Sequence, residues 1–430
     1  MFSFPAAGRR KNANYCYSKI PIWLCIVPPP KAGEQYERTA ILYDQQYTSK
    51  LGDSKLKWRI NMDKSISIVN KGDLSFLGNA FKKAENEGRL SVVYLGGSIT
   101  QGCNASTEDK RYVDLSFQWW KEKFPAADIT MFNAGIGATT SQYGAARAEE
   151  HVLSRKPDVV FVEFSVNDDD TDFFKETYES LVRRLLAAES VKAVVLINNL
   201  FYDDGRNAQR VHNEIGLHYD LPIVSVKNYA WQLVESGEID PKVYTDDNLH
   251  PTDIGHKMIA DLIKGLLEEN YSAYKNGDAF GAKPALAEKI TPCRYEDAVI
   301  YRNTNCTPIL DGFFADTHKA ERFCDPFKDG WTGSAKGASV TFEAEGSILM
   351  LQWRRTVKQP APVAYATIDG DSANRVKLDA NFDETWGDLC CLTTLTESAA
   401  KGAKHTIKVE IAEEGSANDF MVISLIAADN

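Results

Sequence analysis

Hydrophobic residues along this chain fall into two textures that meet near Tyr274. Before that point, short and nearly continuous apolar runs occur at Val92 to Leu95, 129–132, 158–164, 193–197 and 222–226. Rich in β-branched residues, such runs predict strands buried on both faces. Between them the apolar residues recur every three or four positions. Leu74, Leu77, Phe81 and Ala84 share one helical face over 74–86, as do Tyr112, Leu115 and Trp119, then Tyr178, Leu181 and Leu185. The pairs Met258/Ile259, Leu262/Ile263 and Leu266/Leu267 form a broad final stripe. Strand and helix alternate about five times, which predicts a parallel sheet covered on both faces, with its chemistry at the carboxyl ends of the strands.

Past Tyr274 the helical stripes stop. A linker containing Gly, Ala and Pro covers 276–289, and the remainder carries short alternating segments at Val340 to Ala344, Ile348 to Trp353, Val363 to Ile368, His405 to Ile411 and Met421 to Ile426. Turn pairs such as Glu345-Gly346 and Asp369-Gly370 separate them, so 290–430 is predicted to be a smaller antiparallel β-sandwich. Residues 1–61 show no sustained period and read as an irregular extension ahead of an α/β domain over 62–275. Met62 opens a better-organised stretch and is the expected natural start of translation. Internal repeats and low-complexity tracts are absent from the sequence.

Composition narrows the partners. The 430 residues carry a net charge of −11 without a basic stripe, which argues against nucleic acid and anionic membrane surfaces. No run approaches the roughly 18 apolar residues that span a bilayer. Eight cysteines lie scattered, with no Cys-x-x-Cys pair, and point to a reducing compartment, so a cytoplasmic location is expected over secretion. Cys390 and Cys391 are expected to be packed thiols on opposite faces of a strand; Cys293, Cys306 and Cys324 remain able to pair if the protein is exported. Arg9-Arg10-Lys11 ahead of Ile20 to Val27 has a faint leader pattern, which Pro21 and Pro28-Pro29-Pro30 interrupt.

Four segments carry candidate chemistry. Gly96-Gly97-Ser98-Ile99-Thr100 follows the first buried strand, where Ser98 can stand out from the sheet edge as a nucleophile; the plainer reading is a strand that simply ends. Asn133 to Ser141 follows the next strand with small residues that leave backbone N–H groups to bind an oxyanion, or that merely make a tight turn. Asn167, in Ser165-Val166-Asn167-Asp168, can donate a side-chain hydrogen bond to the same oxyanion, or serve as a turn former beside solvated Asp168, Asp169 and Asp170. In Asp246-Asp247-Asn248-Leu249-His250-Pro251, Asp247 stands three residues before His250 and can reach back to fix its tautomer, making His250 a base for the serine proton. The alternative is a solvated loop histidine.

Together these segments resemble the four blocks of the SGNH (GDSL-type) hydrolase superfamily, over roughly residues 88–270. The resemblance implies a flavodoxin-like three-layer α/β/α domain, a Ser98–His250–Asp247 triad, and an oxyanion hole of the Ser98 N–H, a second-block N–H and the Asn167 side chain. The family glycine of the second block falls on Ala138 if Asn133 is aligned without a gap, and on Gly137 if the turn is one residue shorter. Gly97 replaces the acidic residue that often precedes the nucleophile, a variant that resembles branches acting on acetylated carbohydrates. The domain order is similar to carbohydrate esterase family 17, whose members deacetylate mannan-type glycans and carry a carbohydrate-binding-like β-sandwich. The implied activity is a serine esterase removing O-acetyl groups from acetylated oligo- or polysaccharides, with no cofactor and no metal. A GDSL lipase or thioesterase for longer acyl chains, and a non-catalytic glycan-binding protein, are the alternatives. Trp331, Trp353 and Trp386 are candidates either for stacking on sugar rings or for the sandwich core.

Overall fold

The computed structural model describes residues 63–320, 324–397 and 400–429. The expectations for 1–61 and for Met62 lie outside the described residues. A six-stranded sheet organises the first half: β1 (Ile68–Asn70), β2 (Arg89–Gly96), β3 (Asp128–Gly135), β4 (Val159–Glu163), β5 (Ala193–Asn198) and β6 (Ile223–Ser225), in the spatial order β1-β6-β5-β4-β2-β3. Five of the strands run parallel, and β1 closes the β6 edge in the antiparallel sense. The central strands β4 and β5 are buried at every position, as their apolar runs require, and the burial includes the polar residues Glu163 and Asn198 at their carboxyl ends.

Among the described residues eight α-helices connect or cover the strands: α1 (Leu74–Glu87), α2 (Ser98–Gln101), α3 (Tyr112–Lys123), α4 (Ser141–His151), α5 (Asp172–Ala187), α6 (Gln209–His218), α7 (Val226–Glu235) and α8 (Asp253–Asn276). The long helices begin on side-chain caps where the sequence offers them. Asp73 accepts from the Ser75 N–H ahead of α1, and Thr252 from the Gly255 N–H ahead of α8. The strand order gives the fold its functional geometry: β3 lies on one side of β2 and β4 on the other. Connections leaving β2 and β3 therefore part around the carboxyl end of β2, a topological switch point where doubly wound sheets open a crevice.

Two antiparallel sheets make up the second half. One orders the strands 389–396, 348–355, 420–428, 331–333 and 313–315, with 299–301 also pairing 420–428; the other orders 376–379, 363–368, 404–413, 339–345 and 309–311. Trp331 and Trp353 are buried between them, Trp331 edge-on to Phe342 and Trp353 stacked on Phe420, so both belong to the core. Trp386 is half-buried against the edge of Phe382. Cys390 and Cys391 lie in one strand with both side chains buried, Cys391 in the sandwich core and Cys390 in a small cluster with Met421 and Ile423. Cys293, Cys306 and Cys324 form no disulfide with one another.

The sandwich packs against α4 and α5. Ile348, Met350, Ile426 and Ala428 belong to the same apolar core as the α/β sheet. Around that seam Arg294 grips Glu176 with two hydrogen bonds of 2.9 Å, and Arg302 reaches Glu150 at 3.1 Å and the Tyr143 hydroxyl at 3.3 Å. Apolar burial favours this packing, and the two partly exposed ion pairs add specific partners across it.

Candidate active site

Ser98 is the first residue of α2, immediately beyond β2, and its side chain is almost wholly buried. Neither glycine before it has a left-handed backbone; close approach of backbone excludes a side chain at Gly96, while at Gly97 the near neighbour is the Asn167 side chain. A Cβ on Gly96 would stand 2.2 Å from Thr100 Oγ1 and 2.5 Å from the Glu163 carbonyl, and one on Gly97 would stand 2.2 Å from Asn167 Oδ1. With no side chain in the way, the turn after β4 presses against the turn after β2. That brings the Asn167 carboxamide beside the residue preceding Ser98.

His250 arrives from the far end of the domain sequence. Its Nε2 lies 2.8 Å from Ser98 Oγ, and its Nδ1 lies 2.6 Å from Asp247 Oδ2. Asn248 between them adopts a left-handed conformation at φ 68°, which curls the loop back on itself. Asp247 Oδ1 accepts from the N–H groups of Leu249 and His250 at 3.0 and 2.7 Å and from the Thr245 hydroxyl at 3.1 Å. Burial alone would raise the Asp247 carboxyl, but the hydrogen bonds and the facing imidazole of His250 hold it below the usual carboxylate range. Asp246 is exposed to solvent. A charged carboxylate therefore faces one ring nitrogen while the other faces the serine, an arrangement that can take and return a proton at Ser98 Oγ.

Two backbone turns close around the same serine. As the first residue of a helix, Ser98 has an N–H that the helical ladder leaves unused. β3 extends through Gly135, three residues further than its apolar run, and the turn beyond it brings Gly137 close: a Cβ there would lie 3.7 Å from Ser98 Cβ. The Gly137 N–H donates to Gln101 Oε1 at 2.8 Å. Ala138 next to it has φ 55°, a conformation uncommon for any residue but glycine and one typical of strained functional turns.

Several supporting residues were not legible in the sequence. Arg147 of α4 is wholly buried and donates to the carbonyls of Ala134 at 2.7 Å and Gly96 at 3.0 Å, tying together the ends of the strands that feed both turns. Asp168 is not a solvated turn residue. It accepts the Ser141 N–H at 2.9 Å and pairs with buried His212 at 3.1 Å, so the Asn167 turn is anchored to α4 and α6 at once. Only Asp169 and Asp170 of that trio face solvent. No cluster of metal-ligating side chains occurs among the described residues, and none of their helices is long and apolar enough to cross a membrane.

His256 joins the histidine loop to the nucleophile loop. Its Nε2 lies 3.0 Å from the Cys103 carbonyl, and its Nδ1 accepts the Tyr112 N–H at 3.3 Å, a pattern that requires the neutral ring. Burial pushes its pKa down from 6.5 to about 4, with His250 and Arg111 adding to the fall and Asp253 opposing it. The unfolded chain thus binds more protons between those values. Stability is expected to fall as pH drops from about 6.5 to about 4, by about 2–3 kcal/mol from this group. His256→Gln should flatten that limb in melting curves taken across the window; an unchanged acid limb would show that other groups govern it.

The sequence profile of the GDSL-like lipase/acylhydrolase family matches residues 94–258. The crystal structure of a two-domain esterase (CEX) active on acetylated mannans is 41% identical, covers 86% of this chain and 99% of its own, and superposes with a TM-score of 0.81. The same esterase co-crystallised with mannopentaose gives 40% identity and a TM-score of 0.80, covering 86% of this chain and 98% of its own. An acetylxylan esterase of Geobacillus stearothermophilus is 25% identical over 199 residues, 39% of this chain and 90% of its own length. Thioesterase 1/protease 1/lysophospholipase L1 of Escherichia coli K12 is 23% identical over 178 residues, 40% of this chain and 80% of its own.

Proposed function

Since the chain belongs to the GDSL-like lipase/acylhydrolase (SGNH hydrolase) family and is a hydrolase of carboxylic ester bonds, we propose that it removes O-acetyl groups from acetylated glycans of the mannan type. The observation that carries this reading is the likeness to the two-domain mannan esterase. It extends over 99% of that chain, sandwich included, at 41% identity.

In the proposed reaction Ser98 Oγ attacks the acetyl carbonyl while His250 Nε2 takes its proton, and Asp247 stabilises the imidazolium. The developing oxyanion receives the Ser98 N–H, the Asn167 carboxamide and the N–H of Ala138, since that of Gly137 is engaged by Gln101. The tetrahedral intermediate collapses, His250 protonates the departing sugar oxygen so that it leaves as a hydroxyl, and water repeats the sequence on the acetyl-serine to release acetate. These steps need only the side chains named. The sandwich is proposed to act as a carbohydrate-binding-like domain, and an acidic protein suits a neutral polysaccharide.

The test is acetate release from acetylated mannan, xylan and chitin oligosaccharides beside a series of aryl esters. Acetylated mannan is expected to be the best of the glycans, and aryl acetate to outrun aryl butyrate and octanoate, because each added methylene must displace packed side chains in an acetyl-sized pocket. Equal or faster cleavage of octanoyl esters, without acetate release from any glycan, would favour a lipase or thioesterase. Mannan binding without turnover of any ester would leave a glycan-binding protein.

A further inference from the structure

We propose that Gln101 is a positioning residue of the oxyanion hole, a role that rests on the esterase reading above. Ser98 and Gln101 are the first and last residues of α2, three positions apart, so their side chains leave the same face of that single turn. The Gln101 carboxamide lies along the flank of the nucleophile. Its Oε1 accepts the Gly137 N–H at 2.8 Å, and a Cβ on Gly137 would be 3.3 Å from that oxygen.

Other bonds tie α2 to the second turn, but they hold its base. Asn133 Nδ2 donates to the Thr100 carbonyl at 2.8 Å, the Ile136 N–H donates to the Gly96 carbonyl at 3.0 Å, and Gly135 packs so closely that a Cβ there would stand 2.2 Å from the Gln101 nitrogen. Beyond Ile136 the Thr139 hydroxyl bonds only to the Ile136 carbonyl, within the turn itself. Between Ile136 and Ser141, the Gly137–Gln101 hydrogen bond is the tether from the turn's tip to the nucleophile helix among the described residues.

One N–H makes one strong hydrogen bond, so a Gly137 N–H held by Gln101 is not also a donor to an oxyanion. The adjoining Ala138 has φ 55°, and left to itself an alanine would relax out of that region. Gln101 thus pins the residue before Ala138 and keeps the Ala138 N–H aimed at the space beside Ser98. A misaimed donor loses most of its value to the transition state while leaving substrate contacts in place.

Gln101→Met keeps the length of the side chain without the acceptor, and Gln101→Ala removes both. With p-nitrophenyl acetate, both variants are expected to lose kcat on the order of tenfold to a hundredfold while KM stays within about twofold. Affinity for a boronic acid that forms a tetrahedral adduct on the serine should fall by the same factor, with melting temperatures close to wild type. Unchanged or raised kcat in both variants would make Gln101 a plug over the Gly137 donor and overturn the proposal. Activity kept by Met but lost by Ala would reduce the side chain to filler, and a loss that follows melting temperature rather than boronate affinity would make it structural; either overturns the positioning role. Wild-type turnover of the aryl acetate is the control for the reading beneath it. Its absence would refute the esterase and the role of Gln101 together, whereas normal wild-type turnover with unaffected variants refutes Gln101 alone.

Discussion

Ser98→Ala is expected to fold like the wild type and to lose turnover by about 10⁴- to 10⁶-fold, whatever acetyl ester is used. The substitution removes one hydroxyl and its 2.8 Å hydrogen bond to His250, a structural loss of about 1 kcal/mol. Backbone contacts that fix the turn survive it, since the Ser98 carbonyl still accepts from the N–H groups of Gly102 and Cys103. The proposed oxyanion donors also survive, so a small rate above background should persist. Steady-state kinetics on an aryl acetate and labelling by a fluorophosphonate measure the two sides of this expectation. A variant retaining a tenth of wild-type kcat, or still labelled, would remove Ser98 from the nucleophile's role.

The strand ends were legible in the sequence because each of them changes texture over a few residues. A nearly continuous apolar run ends just before Gly96, just before Asn133 or at Phe164, and small or polar residues follow. The spacing of Asp247 and His250 was legible for the same reason: both partners sit in one local turn. What the sequence hid is the set of contacts between turns. Gln101 with Gly137, Arg147 with Gly96 and Asp168 with His212 are 36, 51 and 44 residues apart, and no period links them. At Gly96 it is the approach of the Glu163 carbonyl from a neighbouring strand end that excludes a side chain, a contact no local pattern announces. In the second half, the strands 299–301, 309–311, 313–315 and 331–333 are too short, at three residues each, to show an alternation. Longer strands pair with 299–301, 309–311 and 331–333, and 313–315 pairs in turn with 331–333.

Asp247→Asn is expected to lower kcat about 10³- to 10⁴-fold, while Asp246→Asn changes it less than about threefold. The asymmetry follows from the geometry of one carboxylate. Asp247 uses Oδ1 to accept from Thr245, Leu249 and His250, and an asparagine can keep its amide oxygen there, so the loop should hold its shape. Its NH₂ then takes the place of Oδ2, where it faces His250 Nδ1 and can only donate. That donation forces the ring hydrogen onto Nε2, 2.8 Å from Ser98 Oγ, and a nitrogen already carrying hydrogen cannot accept the serine proton. Asp246 is exposed and touches none of these groups, so neutralising it alters only a screened surface charge. Kinetics on both folded variants, with the histidine tautomer read from ¹⁵N chemical shifts, provide the check. The two variants ranking in reverse order, or Asp247→Asn leaving the proton on Nδ1, would assign the acid to another residue.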